Sequence, residues 1–155
     1  MAIPRRLWDS DVILAYLGGD TSLSTACDSI IRQAEQGKLE IAVSAITQAE
    51  VAYLKGTSDD DSEAKILEFF SRKYIVPIAY ETKVAGIARG LIRKYSPGFK
   101  PFDAIHLATA LLWHIPLIET KDKKLISLSG KEGNPTPIII RLPQHEGTAT
   151  MFTVF

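Results

Sequence analysis

Four carboxylates stand at junctions between short apolar runs and helical stretches: Asp9 after "RRLW", Glu50 in "SAITQAEVAYL", Asp103 in "PFDAIHLATALL" and Asp122 in "LIETKD". An acid in such a place can cap a helix, move a proton or hold a cation, and convergence is what separates the chemical uses from the structural one. From Asp103 to Trp113 a helix advances about 15 Å at ~1.5 Å per residue, and after a turn at His114 to Pro116 the strand "LIET" returns about 13 Å. Asp122 is therefore expected beside Asp103. If the strands that precede Asp9 and Glu50 run parallel to "LIET", their carboxyl ends share the edge where open α/β sheets bind ligands, and all four acids face one cleft.

Carboxylates gathered in this way raise one another's pKa, and burial adds to the penalty. A divalent cation removes the conflict. With oxygen donors throughout and no His or Cys at metal-ligand spacing, a hard ion such as Mg2+ or Mn2+ fits better than Zn2+. An anionic substrate would complete the shell of such an ion, and a phosphodiester attacked by a cation-activated water is the natural candidate.

The elements that must position these acids are legible as alternating short apolar runs and 3.6-residue periodicity, the pattern of an α/β domain with helices over a mostly parallel sheet. A strand near Arg6 to Trp8 leads through Asp9 into a helix, "VILAYL", that stops at Gly18-Gly19. A second helix covers Ser22 to Gln36, with Gly37 as its stop, and "LEIAVSA" is a buried strand. The helix after it is expected over "TQAEVAYLK", with Glu50 in its first turn. "DDDSEAKILEFFSRKY" and "ETKVAGIARGLIRKY" are two helices around the strand "IVPIA", "SPGFKP" is a loop, and "TPIIIRLP" is a last strand. The tail "TATMFTVF" has no assigned place.

The chain of 155 residues is the size of one domain, and its 46% hydrophobic and 23% charged residues are those of a folded one. Eighteen basic residues balance eighteen acidic ones, so a polyanion must be gripped locally rather than by a global field. Cys27, the only cysteine, falls in the apolar phase of its helix and is read as a core side chain. No stretch approaches a signal-peptide core or a membrane span, so a cytoplasmic location away from membranes is expected.

"LWDSDVILAYL", "SAITQAEVAYL", "FDAIHLATAL" and "IETKDKKL" resemble, in order and spacing, the four acidic motifs of PIN-domain nucleases, in particular VapC-type toxins of toxin-antitoxin pairs. The resemblance covers about Leu7 to Leu142, giving a PIN-like domain over 1–142 and a C-terminal tail over 143–155. It implies a Rossmann-like, mostly parallel sheet and Mg2+- or Mn2+-dependent RNA cleavage. Asp9, Glu50, Asp103 and Asp122 become the catalytic and metal-binding acids, with Ser10 and Thr120 as supporting hydroxyls. A small protein antitoxin and a homodimer are implied as partners. Asp11 departs from the family pattern, which has a neutral residue there more often, and "TATMFTVF" lies beyond the family's usual end.

Each acid also has a structural reading. Thr47 to Glu50 matches a capping box, Asp103 in a first turn complements the helix dipole, and Asp122 can belong to a solvated turn among lysines. His106, one turn beyond Asp103, is read as a hydrogen-bonded core histidine and left out of the catalytic set. Arg5, Arg6, Lys100 and Lys121 are the nearest cations for RNA phosphates. Two other functions are carried alongside. "DSDVI" resembles the first motif of haloacid dehalogenase-type phosphatases, which would make Asp9 a nucleophile, and a PIN-like module could bind RNA or a partner without catalysis.

Overall fold

The computed structural model describes residues 2–145; the expected tail "TATMFTVF" lies outside them. Five parallel strands form one sheet: β1 (Arg5–Trp8), β2 (Glu40–Ser44), β3 (Ile75–Ile78), β4 (Leu117–Glu119) and β5 (Ile139–Arg141). Their order is β3-β2-β1-β4-β5. The chain therefore builds outward from β1 on one side, then returns to build on the other. The reversal falls between β1 and β4, the position at which loops from adjacent strands part and leave a crevice.

Among the described residues seven helices connect the strands: α1 (Ser10–Gly18), α2 (Ser24–Glu35), α3 (Ala45–Glu50), α4 (Asp59–Phe70), α5 (Thr82–Lys94), α6 (Pro101–Leu112) and α7 (Lys123–Ile126). Successive side chains of β1 point to opposite faces, as a strand requires, and separate two cores. Leu7 packs with α5, α6 and the apolar side chains of β4 and β5, whereas Trp8 packs with α1, α2 and α4. Trp8 is fully buried, stacked on Phe69 with centroids 6.4 Å apart and edge-on to Tyr16 at 6.1 Å. Cys27 is buried in the same layer.

The stop signals act as the sequence suggests. Gly19 at φ +72° ends α1, its N–H donating to the Ala15 carbonyl, and Gly37 takes φ +76° just after α2. The sheet, however, corrects the helix expected over "TQAEVAYLK". Ser44, the last residue of β2, already serves as N-cap by accepting from the Ile46 N–H at 3.4 Å, so α3 starts early. Glu50 is consequently the last residue of α3, not part of a first turn, and the Thr47–Glu50 capping box is unused. Val51 turns inward and ends the helix. The lysine-rich stretch after Asp122, read as a turn, closes into α7.

Candidate active site

Asp9 follows β1 directly and is only 3% exposed. It is the N-cap of α1: Oδ1 accepts from the Val12 N–H at 3.1 Å. Its other oxygen, Oδ2, accepts a short hydrogen bond from the Thr120 hydroxyl, which follows β4 and is fully buried. Thr120 Oγ1 in turn accepts from the Asp122 N–H at 3.0 Å. Asp122 caps α7, accepting from the Leu125 N–H at 2.8 Å. The crevice between β1 and β4 thus joins two of the predicted acids through one of the predicted hydroxyls. Ser10 is the first residue of α1, half-buried beside Asp9.

Asp103 lies in the first turn of α6, behind Pro101, and is half-buried. Burial pushes its carboxyl up to about 6, with the charges of Asp122, Asp9 and Asp11 adding to the rise and His106 opposing it. Asp9 is also pushed up to about 6, chiefly by desolvation, against the stabilising bond from Thr120 and the field of His106. These mutual effects place Asp9, Asp11, Asp103 and Asp122 in one negative field. Glu50 approaches from α3, with Oε1 at 3.6 Å from His106 Nε2.

The chemistry of this set fits a hard cation: several oxygen donors, two of them carboxyls held above their usual range, Asp9 by burial and the charge of Asp11, Asp103 by burial and the charges of Asp122, Asp9 and Asp11. Among the described residues, no three His, Cys, Asp or Glu side chains are grouped so as to hold a metal ion on their own. Mg2+ does not need such a cage. It keeps several waters and is commonly held by one or two carboxylates together with substrate phosphate.

The predicted cations divide. Lys100 immediately precedes α6, exposed, two residues before Asp103's neighbour Phe102. Lys121 pairs with Asp20 at 3.1 Å and lines a groove with Asp11 and Tyr53. Arg5 and Arg6, by contrast, lie in β1 before the site and are engaged by other acids: Arg5 with Glu40 at 3.0 Å, Arg6 with Glu119 at 3.1 Å.

Sequence reasoning passed over one residue and misjudged the bonding of another. Glu119 ends β4 beside Trp8, whose indole N–H donates to it at 2.8 Å, and burial pushes its carboxyl up. Its place in "LIET" looked like part of an apolar strand, and only the register with β1 reveals the partners. His106, expected to be hydrogen-bonded, is 1% exposed and its Nδ1 has no hydrogen-bond partner.

The PIN domain family matches residues 7–131 of the sequence. The chain belongs to the PIN domain family. Its fold is similar to that of VapBC2 from Rickettsia felis, solved bound to a DNA fragment from the promoter. The TM-score is 0.62 at 15% identity, over 88% of this chain and 96% of that one. A toxin-antitoxin complex from Klebsiella pneumoniae gives 0.58 at 22% identity, over 90% and 98%. Mycobacterium tuberculosis VapC20, described as a sarcin-ricin loop cleaving toxin, gives 0.62 at 10%, over 79% and 93%. No curated protein matches the sequence. Among the described residues no helix is long and apolar enough to cross a membrane.

Proposed function

We propose that this protein is an endoribonuclease dependent on Mg2+ or Mn2+, and the toxin of a toxin-antitoxin pair. The observation that carries the reading is the shared field of Asp9, Asp103 and Asp122 at the β1–β4 crevice of a PIN-family chain. The fold neighbours support it, because a toxin-antitoxin complex and a sarcin-ricin loop cleaving toxin are among them. An antitoxin seated near the groove that Asp11 and Tyr53 line, and a homodimer, belong to the same proposal.

When bound, the cation supplies an activated water and neutralises charge gathering on the phosphate. Asp9 and Asp103 would hold it directly; Asp122 and Glu50 would do so directly or through water. Thr120 and the α1 N-terminus fix the Asp9 carboxylate in one orientation, and the α7 N-terminus does the same for Asp122. Lys100 and Lys121 offer phosphate contacts that carry no sequence information.

The phosphatase reading is less well supported. Both Asp9 oxygens already accept hydrogen bonds and the side chain is almost wholly buried, a poor setting for a carboxylate that must attack phosphorus. A purely binding module would have no use for acids whose repulsion is left uncompensated. The test is wild-type and Asp103→Asn protein incubated with total RNA, with and without Mg2+ or Mn2+, followed by mapping of new ends. Cation-dependent ends absent from the variant support the proposal, and equal cleavage by both defeats it.

A further inference from the structure

We infer that His106 is a positioning residue for Glu50, donating from Nε2 to turn that carboxylate toward the Asp9–Asp103 cleft. The inference rests on the nuclease reading and deepens it.

Three observations lead there. First, His106 follows Asp103 by one helical turn, so both lie on one side of α6, and its Nε2 lies 3.6 Å from Glu50 Oε1. Second, the two partners are anchored unequally. His106 sits among the buried Ala104, Ile105, Leu107 and Ala108 of a twelve-residue helix, whereas Glu50 is the final residue of a six-residue helix that gives way to irregular chain. The ring is the fixed member and the carboxylate the adjustable one. Third, Glu50 Oε1, His106 Nδ1 and Thr47 Oγ1 are all buried with no hydrogen-bond partner. Buried polar atoms left in this condition are rare, and they concentrate where a site completes its contacts only in the working complex.

The ring's proton position follows. A bare Nε2 lone pair facing Glu50 would repel it, so the carboxylate selects the tautomer with hydrogen on Nε2 and leaves Nδ1 as an acceptor.

Gln can place an amide nitrogen close to where His has Nε2, and Asn close to where it has Nδ1. His106→Gln should therefore keep RNA cleavage within about 5-fold of wild type, whereas His106→Asn should lose about 20-fold or more in kcat with little change in KM. On a Glu50→Ala background the Asn substitution should cost less than about 2-fold, since the group it positions is gone. Equal losses in Gln and Asn, or the same Asn penalty with and without Glu50, would overturn the role. Imidazole 15N shifts of the full-length wild type give a readout separate from activity. A proton on Nε2 in the wild type, redistributed in Glu50→Gln, supports the inference, and a proton on Nδ1 in the wild type refutes it. If Asp103→Asn cleaves like wild type the nuclease reading fails, while the 15N result still judges the His106–Glu50 contact.

Discussion

Thr120 donates its hydroxyl hydrogen to Asp9 across 111 residues of sequence, and the same oxygen accepts from the backbone of Asp122. Orientation of the first acid and placement of the last are thereby one problem with one solution. Replacing Thr120 by Val keeps the shape, strands the Asp122 N–H and removes the donor that opposes Asp9's desolvation. Supporting contacts of this kind are worth about 10- to 100-fold in activity, and the lost bonds about 1–2 kcal/mol in stability. Steady-state cleavage of a fluorogenic RNA and urea unfolding of Thr120→Val check both.

The raised carboxyls make a statement about pH. A carboxyl whose folded pKa lies above its unfolded value favours the fold while protonated, and that advantage disappears as pH climbs through the folded value. With Asp9 and Asp103 moving from 3.8 to about 6, the cation-free protein should lose stability between about pH 4 and pH 6. Asp103→Asn should remove its share of the slope. Because Asp103 is only half-buried its shift is discounted to about 1 kcal/mol, or about 2–4 °C in Tm at pH 7.5, with the variant the more stable. A flat difference between the two proteins from pH 4 to pH 8 would contradict it.

Cation binding should reverse that instability. Mn2+ at about 100 times its Kd should stabilise wild type by about 2.7 kcal/mol at pH 7.5, and Asp103→Asn by much less. Thermal unfolding with Mn2+, and again after EDTA, measures this without reference to cleavage.

The pair formed by Arg6 and Glu119 should behave as a structural ion pair. Glu119 is fully buried between Arg6 and the Trp8 indole, so Arg6→Met removes its paired guanidinium and leaves only the weaker field of Arg141 on β5, and should cost about 3 kcal/mol. Cleavage per folded molecule should change little. Chemical denaturation together with active-site-normalised rates distinguishes this from an RNA-contact role for Arg6.

Lys121→Ala should weaken RNA binding uniformly across sequences and reduce the salt slope by about one charge. Filter binding to a catalytically silent Asp103→Asn background, over a range of KCl concentrations, provides the measurement.

The strands and long helices were legible because their burial is written into apolar spacing: Ala26, Cys27, Ile30, Ile31 and Ala34 could form only one stripe. Convergence of Asp9, Asp103 and Asp122 was expected from the chain length between Asp103 and Asp122, from parallel strands and from the resemblance of the four motifs taken together. Short-range competition was harder to see. Ser44 and Thr47 are both good N-caps, and only the end of β2 decides that Ser44 prevails and Glu50 closes α3. Glu119 was missed, and the hydrogen-bonded state expected of His106 was not found at Nδ1, for a related reason. Their meaning lies in partners on other elements, Trp8 and Glu50, which neither periodicity nor local motif reveals.

Of the described strands β1 is made before the others, yet its neighbour β4 follows β2 and β3 in the chain. During translation Asp9 leaves the ribosome long before Thr120 and Asp122 can join it. Whatever chemistry Asp9 takes part in, its carboxylate keeps its fixed orientation only after β4 has been laid beside β1, so the site is assembled late in folding rather than carried from the start by the segment that holds its first acid.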